Sequence, residues 1–276
     1  MDMRKRLLIV LGMALLPVAC HKGGMESGSE AIRIQASLPS SVTKVALGTE
    51  SEGSFPVLWQ EGDQVSLNGN LSRPLSAGLS GGESAPFAFM GFEAAAPYHL
   101  LYPGDVGNGV SLDGSVLPMY AAGSDIQDVF YFHHLACGVR LQLLGDLSVS
   151  SLTLSATGGE AVAGSFTVSY ADGTLAPVSA SDSVTIDFAT PVSLSPLHPV
   201  SFFVFFAPGS FSGGLTLTAE DASAAVTRSW RFATGATLEK GKIYLLPETA
   251  FASRELSDGF ECSLEEMTEE LISFEL

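Results

Sequence analysis

The chain has 276 residues, 46% of them hydrophobic and only 16% charged, which is enough for one large or two ordinary folded bodies. Its 30 Asp and Glu against 13 Lys and Arg give a formal charge of −17. That balance excludes a nucleic-acid face and a polybasic membrane surface, because both need clustered cations.

The first segment carries Arg4, Lys5 and Arg6, then the apolar run Leu7–Leu16, then Leu16-Pro-Val-Ala-Cys20. A basic start, a short apolar stretch and a small residue before a cleavage point read as an export signal over residues 1–19. A cysteine directly after the small residue resembles a bacterial lipobox, in which that cysteine is acylated (palmitate and similar chains) and becomes the mature N-terminus. Cys20 is therefore the expected lipidation site. The pattern departs at Pro17, where a leucine is usual, and an ordinary cleaved signal is the alternative. The apolar stretch is too short to span a bilayer, which leaves the N-terminal lipid as the expected membrane attachment. Residues 20–29, with Gly23, Gly24 and Gly28 among polar neighbours, read as a flexible stalk.

From residue 30 the pattern takes a period of two. Ile32, Ile34, Ala36 and Leu38 alternate with Arg33, Gln35 and Ser37, the mark of a strand with one buried face. Val57–Trp59, a turn at Gln60–Asp63, and strands at Gln64–Asn68, Ala85–Phe92, His99–Tyr102 and Ser115–Tyr120 follow, punctuated by Gly, Pro, Asn and Asp. Alternation then restarts at Val139–Leu143 and continues through Leu152–Ala156, Phe166–Tyr170 and Val184–Phe188. Ser201–Phe206 is apolar on both faces, which predicts a central strand covered on both sides. Leu215 and Leu217, Val226–Phe232 and Ile243–Leu246 complete an all-β pattern at sandwich spacing. The weak seam at Gly123–Asp128 suggests two sandwiches, 30–128 and 129–250; a single large sandwich or barrel is the alternative.

Residues 251–276 differ in kind. Eight acidic side chains stand there against Arg254 alone. Ser263-Leu-Glu-Glu266 fits a capping box, and Leu264, Met267, Leu271 and Phe274 follow at near-helical spacing, so a short acidic helix is expected.

Catalytic and metal chemistry finds little footing. His133 and His134 are adjacent, and neighbours in a strand point to opposite faces. Cys137 sits in an apolar stretch and reads as a small buried hydrophobe. Glu61 with Asp63, and Glu220 with Asp221, fall in turns or at strand ends, where carboxylates are ordinary punctuation rather than a glycosidase pair. Gly209–Gly214 lacks the Lys-Ser/Thr of a phosphate loop and reads as a hairpin turn. Trp59, Trp230, Phe130, Tyr131 and Phe132 are the material of a sugar platform, but alternating strands favour placing the tryptophans in cores. No catalytic residue, metal or cofactor is expected.

Three stretches carry a resemblance: Thr43-Lys44 with Trp59, Glu61-Gly-Asp63 and Val65-Ser-Leu-Asn68; Phe132-His-His-Leu-Ala-Cys-Gly-Val-Arg-Leu-Gln-Leu143 with Leu152-Thr-Leu154; and Leu238-Glu-Lys-Gly-Lys-Ile-Tyr244. Their order and spacing resemble the fimbrillin-like lipoproteins of the Bacteroidales, the subunits of type V pili. The resemblance implies two tandem transthyretin-like β-sandwiches, acylation during export, an outer-membrane or fimbrial location, and assembly with other pilus subunits or surface ligands by strand exchange. Carried onto this chain, Ile32, Ile34, Ala36 and Leu38 would be the inward residues of the exchanged strand, Arg33 a trypsin-like processing point, and Ser183 of Asp182-Ser-Val184 an O-glycosylation acceptor. A non-catalytic fimbrial subunit, anchor, accessory subunit or adhesin is expected; the alternative is a carbohydrate-binding surface lipoprotein of a glycan-uptake system.

Overall fold

The structure is a computed structural model, which describes residues 32–38, 57–105, 109–223 and 226–252, together with the backbone of 260–262 and 268–270. Cys20, the expected export signal, the expected stalk and Thr43-Lys44 lie outside the described residues. Among the described residues the protein is all-β, and its one helical element is the 3-10 turn Ala77–Leu79.

The first body packs a three-stranded sheet on a five-stranded one. In the smaller sheet Ile32–Ser37 lies between Ser84–Phe89 and Val129–Tyr131. In the larger the order is Asn70–Leu71, Ser66–Leu67, Tyr98–Tyr102, Met119–Gly123, His133–His134. Asn68 and Gly69, both at positive φ (48° and 79°), make the two-residue hairpin that joins Ser66–Leu67 to Asn70–Leu71. The expected strand Ser115–Tyr120 is displaced to Met119–Gly123. Asp113 explains why: its Oδ1 accepts from the backbone N–H of Ser115 at 2.9 Å and of Val116 at 3.2 Å, so that stretch is a turn.

The second body is a sandwich of two five-stranded sheets. One has the order Val200–Phe206, Cys137–Leu144, Ile243–Leu245, Thr268–Glu270, with Thr249–Ala250 also beside Cys137–Leu144. The other runs Ser183–Ser193, Ser148–Ala156, Leu215–Asp221, Thr227–Phe232, Phe260–Cys262. The inward faces meet in a core that includes Val139, Leu141, Leu152, Leu154, Leu217 and Trp230, all fully buried.

Four expectations need correction. Val200–Phe206 is an edge strand, not a central one. Its apolar residues reflect two covered faces: Phe202, Val204 and Phe206 enter the sandwich core, while Phe205 packs on the other side with Val110, Leu112 and Phe166. Gly209–Gly214 is more than a turn, because Gly209–Phe211 pairs with Ala236–Leu238 before the chain reverses. The boundary at 128/129 falls too early: Val129–Tyr131 pairs with Ile32–Ser37, His133–His134 pairs with Met119–Tyr120, and Phe130 and Phe132 belong to the first core. The tail is strand where it is described. Phe260–Cys262 runs parallel to Thr227–Phe232, and Thr268–Glu270 runs antiparallel to Ile243–Leu245 at positions where a helix was expected. The rest of the expected helix lies outside the described residues.

The two bodies also share material. Gly109–Leu112, from the first half of the chain, pairs with Ala163–Val168, and a third core joins Leu101, Leu112, Leu117, Leu135, Phe205 and Ile243.

Candidate functional site: the slot around the first strand

The strand Ile32–Ser37 is the middle of its sheet, not its edge. It runs antiparallel to Ser84–Phe89, from Ile32 opposite Phe89 to Ser37 opposite Ser84. On its other side it runs parallel to Val129–Tyr131, with Ala36 beside Phe130. A middle strand satisfies backbone groups on both flanks, so its departure would leave two unpaired ladders facing each other.

Alternation decides what the strand presents inward. Ile34 is 3% exposed, Ala36 0% and Leu38 6%, and Ile32 packs partly buried against the same core. The walls are Ala85, Phe87 and Phe89 on one side and Phe130 and Phe132 on the other. Trp59 forms the floor, edge-on to Phe87 at 4.8 Å, Tyr102 at 5.4 Å and Phe132 at 5.7 Å. The outward residues fasten the strand with polar bonds. Gln35 Nε2 donates to Ser84 Oγ at 2.7 Å, and Ser84 Oγ donates on to the Ala36 carbonyl at 3.2 Å. At the exit Leu38 N–H donates to the Glu83 carbonyl, and Phe132 N–H to the Ser37 carbonyl.

A carboxylate stiffens the floor. Asp63 Oδ2 accepts from the Gln60 N–H at 2.7 Å and Oδ1 from the Tyr102 hydroxyl at 3.1 Å. Burial raises the Asp63 pKa against the lowering effect of those hydrogen bonds, and burial with the neighbouring carboxylate pushes the Tyr102 phenol up. Asp63 holds a turn beneath Trp59, so the Glu-Gly-Asp stretch shapes the core. Glu220 and Asp221 are similarly engaged: Glu220 Oε2 accepts from Ser151 Oγ at 3.3 Å, and Asp221 accepts from Ser223 Oγ and the Val226 N–H.

The remaining expected site residues are scattered. The Arg33 side chain is exposed, but its backbone sits in the ladder opposite Ala88, so a protease would meet an extended chain there only after local unzipping. Ser183 is half-buried and its hydroxyl is 2.9 Å from Ser155 Oγ, a pair that a glycan would have to break. His133 is exposed and His134 is buried, on opposite faces as alternation requires. Cys137 is buried, its S–H donating to the Phe206 carbonyl at 3.5 Å, and burial pushes the thiol pKa up. The aromatic set does not assemble into a platform. Trp59 and Trp230 are 0% exposed, Phe130 and Phe132 are buried, and Tyr131 alone faces out, at 65%. The slot walls Ala85, Phe87 and Phe89 were legible as an alternating strand, but nothing in the sequence names their neighbour.

A double-sandwich, all-β protein whose first strand fills the middle of a sheet is the class these observations define. No family model matches the chain, and no curated protein matches it. Among solved structures, a candidate cell adhesion protein of Bacteroides ovatus is similar at a TM-score of 0.53 and 12% identity, over 87% of this chain and 95% of that one. A candidate cell adhesion protein of Bacteroides uniformis gives a TM-score of 0.48 at 14% identity, over 87% of this chain and 95% of the other. The tip fimbrial protein Mfa3 of Porphyromonas gingivalis, with a C-terminal truncation, gives 0.36 at 7% identity, over 82% and 96%. The Bacteroides ovatus likeness shows a shared fold.

Proposed function

We propose that the chain is a fimbrillin-like surface lipoprotein, non-catalytic, acting as a fimbrial subunit, anchor, accessory subunit or adhesin that assembles by strand exchange. The observation that carries the reading is the slot: an apolar strand that is removable in principle, central in its sheet, with Ile34, Ala36 and Leu38 buried below it. A replacement strand must run antiparallel to Ser84–Phe89 and alternate in the same register, since a slip of one residue turns its apolar set outward. The name of the Bacteroides ovatus structure that shares the fold, a candidate cell adhesion protein, agrees with this reading. In it Cys20 carries the lipid, Arg33 is the processing point, and Ser183 is the acceptor of any O-linked glycan. Among the described residues, Trp59, Trp230, Phe130 and Phe132 are buried and do not assemble into the platform that the carbohydrate-binding alternative needs.

The test follows the chain in its native cell, with and without Cys20→Ala, by membrane fractionation and antibody labelling of intact cells. Surface labelling that depends on Cys20, with heat-labile ladders of assembled subunits, is expected. A periplasmic monomer that never labels on intact cells overturns the proposal.

A further inference from the structure

The seam between the two bodies holds a polar and aromatic cluster that the slot does not use. Tyr120, 8% exposed, comes from Met119–Gly123 of the first body, with His133 beside it across the ladder. Their rings are 5.7 Å apart and tilted by 47°. From the second body, Tyr170 comes to 6.4 Å from Tyr120 and stacks on His99 at 4.0 Å with the planes 7° apart. Gly173, at φ +68°, lies directly against the Tyr120 ring; a Cβ there would stand 2.4 Å from Cε1. Lys240, in the turn after Ala236–Leu238, places Nζ 5.9 Å from the Tyr120 ring centroid and donates to the Asp172 carbonyl.

Among the described residues, His133 and Lys240 both approach the Tyr120 ring, and the Lys240 charge is felt at His133. Asp172, Tyr170 and His99 lie behind them, and on the Lys240 turn Lys242 pairs with Glu239 at 3.3 Å. Hydrogen bonds from Ser169 and Thr174 hold the Asp172 carboxyl down to about 2, with Lys240 adding to the effect. Partial desolvation of a ring that is exposed overall, and then the Lys240 charge, hold the His133 imidazole below its ordinary range. An ammonium over a tyrosine face is a favourable contact that a nearby second cation weakens.

We propose that Tyr120, His133 and Lys240 form an acid-released clasp between the two bodies, in which a proton on His133 sets a second positive charge against Lys240 and loosens its seat on Tyr120. The direction follows from linkage. The folded state takes up this proton less readily than the unfolded chain, so the contact is at full strength above the ordinary histidine range. It weakens as pH falls from there through the lowered folded value. In neutral solution the Lys240 turn and the 169–174 turn are seated on Tyr120, and in acid these two turns loosen while the shared core and the Gly109–Leu112 ladder stay in place.

The experiment is hydrogen exchange on the full chain at about pH 7.5 and about pH 5.5, corrected for intrinsic rates. Peptides covering 169–174 and 239–242 should lose protection at the lower pH in the wild type. His133→Gln should abolish that difference, and His99→Gln should keep it. Equal protection at both pH values in the wild type, or a full difference in His133→Gln, overturns the clasp. If His133→Gln does not fold, NMR titration of His133 in the wild type and in Lys240→Gln decides. The midpoint should rise in the variant, and an unchanged midpoint overturns the proposal.

Discussion

Removing the first strand should cost most of the first body's stability, and returning it as a free peptide should restore it. The large inward side chains are Ile34 and Leu38, at 3% and 6% exposure, and the partly buried Ile32. At roughly 1.5–3 kcal/mol for each fully buried aliphatic side chain, burial alone is on the order of 5 kcal/mol. Loss of the two flanking ladders adds to that. A whole domain is stable by only about 5–15 kcal/mol, so a chain beginning at residue 39 should melt at much lower temperature or collapse. Trp59 reports on this body directly, since its ring meets Phe87 at 4.8 Å in the wall of the slot. The assay is thermal unfolding by Trp fluorescence and near-ultraviolet dichroism, with and without a synthetic peptide of residues 31–38 added during refolding. A peptide at a hundred times its dissociation constant should return about 2.7 kcal/mol. A peptide carrying Ile34→Asp should return none, because the carboxylate would be buried beside Phe87. Undiminished stability of the shortened chain, or equal rescue by both peptides, refutes the slot.

Trp59→Ala should destabilise the first body by about 3–5 kcal/mol, the usual cost of truncating a buried aromatic, and a loss below about 1 kcal/mol in denaturant melts would place Trp59 outside the core. A fragment starting at Leu135 loses Gly109–Leu112, the partner of Ala163–Val168, and uncovers Phe166, Phe205 and Ile243, which are 2%, 4% and 3% exposed in the whole chain. It should bind a hydrophobic dye and self-associate, whereas a monomeric, dye-silent fragment with a single sharp melt would refute the shared core.

Alternation along the chain determined much of this protein. It placed Ile34, Ala36 and Leu38 inward, separated His133 from His134, and marked the sandwich strands around Leu141, Leu152 and Leu217. Alternation works because side chains in a strand point to opposite faces, so the sequence records which face is covered. It does not record which strand lies alongside, since ladder bonds join backbone groups that every residue carries. Only the tertiary structure therefore put Ile32–Ser37 in the middle of its sheet and Val200–Phe206 at an edge. For the same reason it alone moved the seam: Val129–Tyr131 looks like the start of a new body by spacing, yet its backbone pairs with the first strand. The tail shows the other limit. Its apolar residues fit a helical spacing as a short acidic segment, but at Thr268–Glu270 the unpaired edge of Ile243–Leu245 offers backbone partners, and strand is what forms there.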